Sequence, residues 1–280
     1  EDAKPVQEFS ELNKINLFGH PFSNNGDFIG QNPFGFLYQP SYATIGEKSA
    51  ELLAAKSSNK NCFVFYGETP KDSIMAFSFM RTALKLGLTI AYTEEVRSET
   101  SNDILATLAT PTEFDEWKNP TQFKLKMDSI GSVFVASDDA LIYTKVINSV
   151  ETRGDSIILV GQESWLEDNS VELSKFERIN VALASPNFAS ISSRSYIQFR
   201  KKYLQTHGIL PSSYAQKGYE FLMVLGHSLK TYGTYFQEGL MKQRIPGALT
   251  SGYQMLPTHD NGLVPFISFK RGRPEPINKP

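Results

Sequence analysis

The chain has 280 residues, 40% of them hydrophobic and 12% aromatic, with a formal net charge of −2. That apolar content supplies the core of one large α/β unit or two modest lobes, and the aromatic content excludes a wholly disordered chain. The balanced charge excludes a typical nucleic-acid binder, which carries a clustered basic excess.

The single cysteine, Cys62, excludes an internal disulfide and Cys-rich zinc motifs. It opens the apolar run CFVFY, where a thiol reads as core packing. No run of about 18 apolar residues occurs, so no membrane span is expected. The chain opens on EDAKP, without a visible export signal; a signal or anchor is expected to lie outside it.

In chain order, residues 4–13 read as a short helix and Ile15–Phe18 as a strand. The loop GHPFSNNGDFIGQNP follows, dense in Gly, Pro, Asn and Ser. A second short strand is expected at Phe34–Tyr38 and a helix over 42–56. NCFVFYG is a continuous apolar run, as a strand buried on both faces should be. GETPKDS is a turn, with Asp72 or Ser73 as the expected cap of a helix that Gly87 closes. LTIAYTEEV is the next strand, which makes a right-handed βαβ crossover the expected geometry. The spacing of Phe114, Trp117, Phe123 and Leu125 predicts an amphipathic helix over 112–129, broken near Pro120.

SVFVAS (132–137) is a strand, followed by a helix ending at Gly154 and a strand over 156–161. INVALASP (179–186) is another strand. Helices are expected over 194–206 and 211–232. Two tail strands, 252–256 and 263–269, flank the turn signal THDNG. The cluster Lys270, Arg271 and Arg273 reads as a solvated end. The class is α/β, a mostly parallel sheet with an antiparallel tail pair.

Motifs for catalysis and cofactors are missing. There is no GxGxxG, Walker, HExxH, CxxC or GxSxG sequence, and the four histidines share no ligand spacing. No enzyme activity, metal or cofactor is expected. Ligands of open α/β sheets bind outside the carboxyl ends of the strands. Those ends carry His20 and Ser23; Gly67, Glu68 and Lys71; Ser137, Asp138 and Asp139; and Gln162, Glu163 and Trp165. Carboxylates, hydroxyls and an aromatic wall would suit a small zwitterion. Asp138 and Asp139 also stand where a helix cap belongs.

The order of elements resembles the type I periplasmic solute-binding family, the branched-chain amino-acid binding proteins. The segments that carry the resemblance are NPFGFLYQPSYATIGEKSAELL, then NCFVFYGETPKDSIMAFSFMRTALKLGLTIAYTEEV, then SVFVASDDALIYTKVINSVETRGDSIILVGQESW. ILPSSYAQKGYEFLMVLGHSL resembles the family's P-x-x-x-A-x-x-G-Y-D helix, with Glu220 in place of Asp. GYQMLPTHDNGLVPFISFKRG resembles its tail hairpin.

The resemblance implies two three-layer α/β lobes joined by three crossings, closing on a ligand by a hinge. Residues 1–38 and 190–245 fall to lobe one; 39–189 and 250–280 fall to lobe two. Complete members begin with further lobe-one strands and helices that have no counterpart here. Lobe one is therefore expected to be incomplete, with the chain part of a longer protein or its lobe finished by another element. Ser23 falls on the family's hydroxyl contact for a carboxylate, beside His20, and Glu163 on its acid for an ammonium. The two are expected to face each other across the cleft. Two aromatic wall positions fall near Lys71 and Asp138, and neither is aromatic. The implied role is extracytoplasmic binding of a small polar solute for transport or sensing, as in ABC transport. The alternative is an envelope protein-interaction module with a degenerate pocket, as in LysM-linked proteins and lipoproteins of peptidoglycan synthesis.

Overall fold

The computed structural model describes residues 4–19, 23–26, 32–97, 99, 101–118, 120–124, 128–168 and 171–277. The chain divides into two compact units. Unit 1 holds Glu1–Thr44 and Pro186–Pro265; unit 2 holds Ile45–Ser185 and Phe266–Lys279. The expected lobe bounds differ in the tail, because residues 250–265 belong to unit 1.

In chain order, α1 (Lys4–Asn13) leads to β1 (Leu17–Phe18) and β2 (Gly35–Phe36). These strands pair in parallel, Leu17 with Gly35 and Phe18 with Phe36. Then α2 (Tyr42–Lys56) leads into unit 2, with β3 (Asn61–Tyr66), α3 (Pro70–Lys85) and β4 (Thr89–Glu95). A short α4 (Ile104–Leu108) precedes a hairpin, β5 (Thr110–Phe114) and β6 (Pro120–Lys124). After it come β7 (Ser132–Ala136), α5 (Ala140–Arg153), β8 (Ile158–Gln162), α6 (Leu173–Arg178) and β9 (Val181–Ala184). Unit 1 resumes with α7 (Arg194–His207), α8 (Ser213–Tyr232) and α9 (Gln237–Lys242). The chain closes in unit 2 with β10 (Phe266–Lys270) and β11 (Arg273–Pro276).

The sheet of unit 2 has the order β11-β10-β9-β8-β7-β3-β4. The pairs from β4 through β9 are parallel and the last two strands are antiparallel. Burial follows this order. Every residue of β7 and β9 is buried, whereas edge strand β4 alternates between exposed and half-buried positions. A strand covered on both faces must be apolar throughout, and an edge strand need not be. Phe79 of α3 stacks on Phe134 of β7 with ring centroids 4.2 Å apart, fixing helix to sheet. Gly154 ends α5 with φ 69°, a left-handed value that glycine adopts without strain.

Unit 1 has a separate core of Phe36, Tyr38, Val224, Phe236, Leu240, Ile245, Tyr253 and Met255. Phe18 packs its ring on Phe36 at 5.6 Å and on Phe221 at 5.5 Å. Asp260, fully buried, accepts the Ser41 N–H at 2.8 Å and the Thr44 hydroxyl at 2.5 Å, which anchors the start of α2. Glu220 replaces the aspartate of the resembling motif, and its carboxylate receives the backbone N–H groups of Ala248, Leu249 and Thr250.

Three expectations are corrected. Within the helix expected over 112–129, the segment up to Lys124 is instead the antiparallel β5–β6 hairpin, and Leu125 lies outside the described residues. Phe114 and Trp117 are spaced as on a helix face, yet they are 58% and 83% exposed and pack no core. The cap of α3 is Thr69, with Pro70 at the first helical position, rather than Asp72 or Ser73. The tail ladder is β10–β11, turning at Arg271 and Gly272. Around THDNG there is a tight turn with a single bridge, Met255 to Asn261, in place of paired strands.

Candidate functional site

The parallel strands of unit 2 bring their carboxyl ends to one edge of the sheet. Beyond β3, β4 and β7 these ends surround a depression of about 340 Å³. Gly67, Glu68, Thr69 and Asp72 form one wall, Val96 and Arg97 a second, and Ser137, Asp138, Asp139, Leu141 and Ile142 a third.

The start of α3 determines where Asp72 goes. The Thr69 hydroxyl accepts the Asp72 N–H at 3.3 Å, and Pro70 supplies the preset φ of a first helical residue. Asp72 thus falls in the first turn with its side chain turned inward, 2% exposed. The Ser137 hydroxyl donates to Asp72 Oδ2 at 3.1 Å and accepts the Asp139 N–H at 3.2 Å. Asp139 caps α5 by accepting the Leu141 N–H at 2.8 Å. A Cβ on Gly67 would stand 2.5 Å from Asp72 Oδ2 and 3.1 Å from the Ser137 hydroxyl, so this close approach requires glycine.

Burial pushes the Asp72 carboxyl above its ordinary pKa. Hydrogen bonds from Thr69 and Ser137 and the Lys71 charge oppose the shift, and Asp138 adds to it. Asp72 Oδ1 has no hydrogen-bond partner among the described residues. The other rim carboxylates are engaged. Asp138 pairs with Lys71 at 2.5 Å, and Glu68 with Arg97 at 3.5 Å.

The residues singled out in the sequence are placed as follows. His20 lies outside the described residues. Ser23 is half-buried in a unit 1 loop, where its hydroxyl accepts the Asn25 N–H at 3.2 Å. Lys71 and Asp138 meet at the rim of unit 2 as an ion pair, each partly exposed. Glu163 opens the 3-10 turn Glu163–Glu167 after β8; it is half-buried and does not line the depression. Trp165 requires correction, because the expected aromatic wall is a core residue only 1% exposed. Its ring stacks on Tyr143 at 4.7 Å and lies against Gly161, where a Cβ would come within 2.2 Å of it. Its indole N–H donates to the Ser137 carbonyl at 3.0 Å, so Trp165 supports the loop that carries Ser137.

Sequence reasoning missed Asp72 as a residue lining the depression, having taken it for a cap. The available signal was Thr-Pro three residues ahead, which moves the cap to Thr69 and turns Asp72 inward. Among the described residues no three His, Cys, Asp or Glu side chains converge as a metal site. Among them, too, no helix is long and apolar enough to cross a membrane.

This architecture is the type I periplasmic-binding-protein fold. No known family profile and no curated protein matches the sequence. Solved structures do. An ABC transporter substrate-binding protein from Desulfitobacterium hafniense is similar at 18% identity and TM-score 0.66, over 98% of this chain and 76% of that one. A branched-chain amino acid ABC transporter protein from Thermus thermophilus, with bound valine, is similar at 12% identity and TM-score 0.58, over 99% and 74%. Full-length LpoA from Haemophilus influenzae is similar at 13% identity and TM-score 0.60; it matches all of this chain, which spans about half of LpoA (51%). At these identities the likeness establishes the fold.

Proposed function

We propose that this chain binds a small polar solute outside the cytoplasm, without catalysis, as a receptor for transport or sensing. The observation that carries the reading is the depression at the carboxyl ends of β3, β4 and β7, bordered by carboxylates, hydroxyls and Arg97, with Lys71 paired to its Asp138. Its volume of about 340 Å³ suits a small molecule rather than a polymer. The neighbouring structures support the solute class: one is a complex with Leu, another has bound valine and a third is a complex with benzoate. Amino-acid-like solutes are therefore the first class to test. Ser23 and Glu163 remain proposals of the resemblance, each addressed by its own variant, Ser23→Ala and Glu163→Gln.

The test is a thermal-shift screen of amino acids, short peptides, aromatic carboxylates and muropeptides. A ligand at 100 times its Kd stabilises the native state by about 2.7 kcal/mol, a readily measured rise in Tm. A saturable shift with one class supports solute binding. No shift with any of them removes it.

A second reading has one specific observation behind it. The Lys71–Asp138 ion pair lies near the two positions where the resembling family has aromatic walls. A pocket whose walls pair with each other suits an envelope interaction module with a degenerate pocket, and the similarity to LpoA fits that reading. A negative ligand screen, together with retention of a peptidoglycan-synthesis protein on the immobilised chain, would favour it.

A further inference from the structure

We propose that the depression on unit 2 is an ammonium-recognition site in which Asp72, held by Ser137, receives the N–H groups of a primary amine. This rests on the solute-binding reading above and names the acid and the chemical class that it leaves open.

The geometry begins with an unmet acceptor. Asp72 is 2% exposed, its Oδ2 is held by Ser137, and its Oδ1 has no partner among the described residues. Buried polar atoms are almost always hydrogen-bonded, so a buried orphan on a residue that lines a cavity marks a place that something else completes. Protonation does not remove the deficit. A carboxylic O–H at Oδ1 would be a donor lacking an acceptor instead of an acceptor lacking a donor. An ammonium satisfies Oδ1 and keeps the carboxylate charged, in the stronger, charge-assisted form of hydrogen bond.

The competing ligand is an anion, because the N-termini of α3 and α5 both open onto this rim. Several of their backbone donors are already committed. Pro70 has no N–H, the Thr69 hydroxyl takes that of Asp72, and Asp139 takes that of Leu141. The charge points the same way. Glu68, Asp72, Asp138 and Asp139 outnumber Lys71 and Arg97, and those two cations are paired to Asp138 and Glu68. An anion would meet carboxylates, whereas an amine meets Asp72.

A pH dependence follows from the groups facing Asp72. Lys71 on its own helix and Thr69 and Ser137 favour the charged carboxylate. Asp138, from the loop after β7, disfavours it, as does burial. Glu68, Arg97 and Asp139 complete the charged groups of the rim. With burial dominant, the free carboxyl holds its proton above the ordinary range, and an arriving ammonium displaces that proton. Amine affinity therefore falls as the pH drops through the raised Asp72 value.

The test is backbone-amide NMR of the full chain titrated with ethylammonium chloride, against tetramethylammonium chloride at equal ionic strength. The expected result is saturable shifts at Gly67, Ser137 and Asp139 with ethylammonium and none there with tetramethylammonium, which has no N–H. Asp72→Asn should weaken the response about tenfold or more, since the charge-assisted bond becomes neutral. Glu51→Gln, a surface change on α2, should leave it intact. If Asp72→Asn disturbs the fold, the pH series on the unaltered protein decides, with affinity expected to be weaker near pH 4 than near pH 7. Equal shifts with both cations, an unchanged response in Asp72→Asn, loss through Glu163→Gln instead, or a flat pH series would overturn the assignment. Such a result leaves solute binding standing if the ligand screen is positive. A negative screen removes the solute reading, and a positive ethylammonium titration then leaves the amine site standing by itself.

Discussion

Two buried carboxylates, Glu220 in unit 1 and Asp72 in unit 2, differ in how far their oxygens are satisfied. Glu220 is 1% exposed and fully supplied. Its oxygens receive the N–H groups of Ala248 at 3.0 Å, Leu249 at 2.8 Å and Thr250 at 3.3 Å, and the Thr250 hydroxyl at 2.8 Å. It is a structural acid that fixes the 248–250 loop. Glu220→Ala leaves those donors unpaired and should cost about 3 kcal/mol or more. Urea unfolding checks the size, and faster amide exchange at 248–250 checks the place. Asp72 has an unmet oxygen, and burial raises its carboxyl above the ordinary value. A carboxyl raised in the native state contributes stability below the ordinary carboxylate pKa and loses it as pH rises through the raised value. Asp72→Asn lacks that loss. Its stability relative to the unaltered protein should therefore improve as pH goes from about 4 to about 7. A difference that stays constant across that range in parallel urea titrations would contradict the placement of Asp72.

Among the elements, the β3–α3–β4 unit was legible because its signals agree. Cys62, Val64 and Phe65 form a doubly buried run, and α3 ends where Gly87 takes φ 83°. The 112–129 segment was not, because the exposed Phe114 and Trp117 of a hairpin carry the spacing of a helix face. Spacing alone does not report burial. The rim shows the same division. Lys71, Asp138 and Glu68 could be found by counting from strand ends, whereas Trp165 was misread because a 3-10 turn folds its ring back over Gly161. That fold-back makes two predictions. Gly161→Ala places a methyl within 2.2 Å of the indole and should cost about 1–3 kcal/mol, with a red shift of tryptophan emission as Trp165 is displaced. Trp165→Phe removes the bond to the Ser137 carbonyl and should cost about 1 kcal/mol. Amide exchange at 137–141 should quicken while that of β3 stays unchanged.

For the whole molecule, both units expose apolar surface. Unit 2 forms a seven-stranded sheet and exposes Phe77 and Leu84 of α3 and the hairpin residues Phe114 and Trp117. Unit 1 exposes Val6, Phe9 and Leu12 of α1 and Leu222, Met223 and Leu229 of α8, beside a parallel pair of two-residue strands. Apolar side chains exposed in such numbers promote association. The 280-residue chain should show concentration-dependent sedimentation that Phe9→Lys with Leu222→Lys reduces; sedimentation unaffected by that pair would contradict the account. The central claim, that the carboxyl-end rim of unit 2 holds a solute, is tested most directly by hydrogen–deuterium exchange with and without a saturating pool of amino acids. The account predicts slower exchange confined to peptides spanning 67–72 and 137–142. Unchanged exchange there, or protection elsewhere in the chain alone, would contradict it.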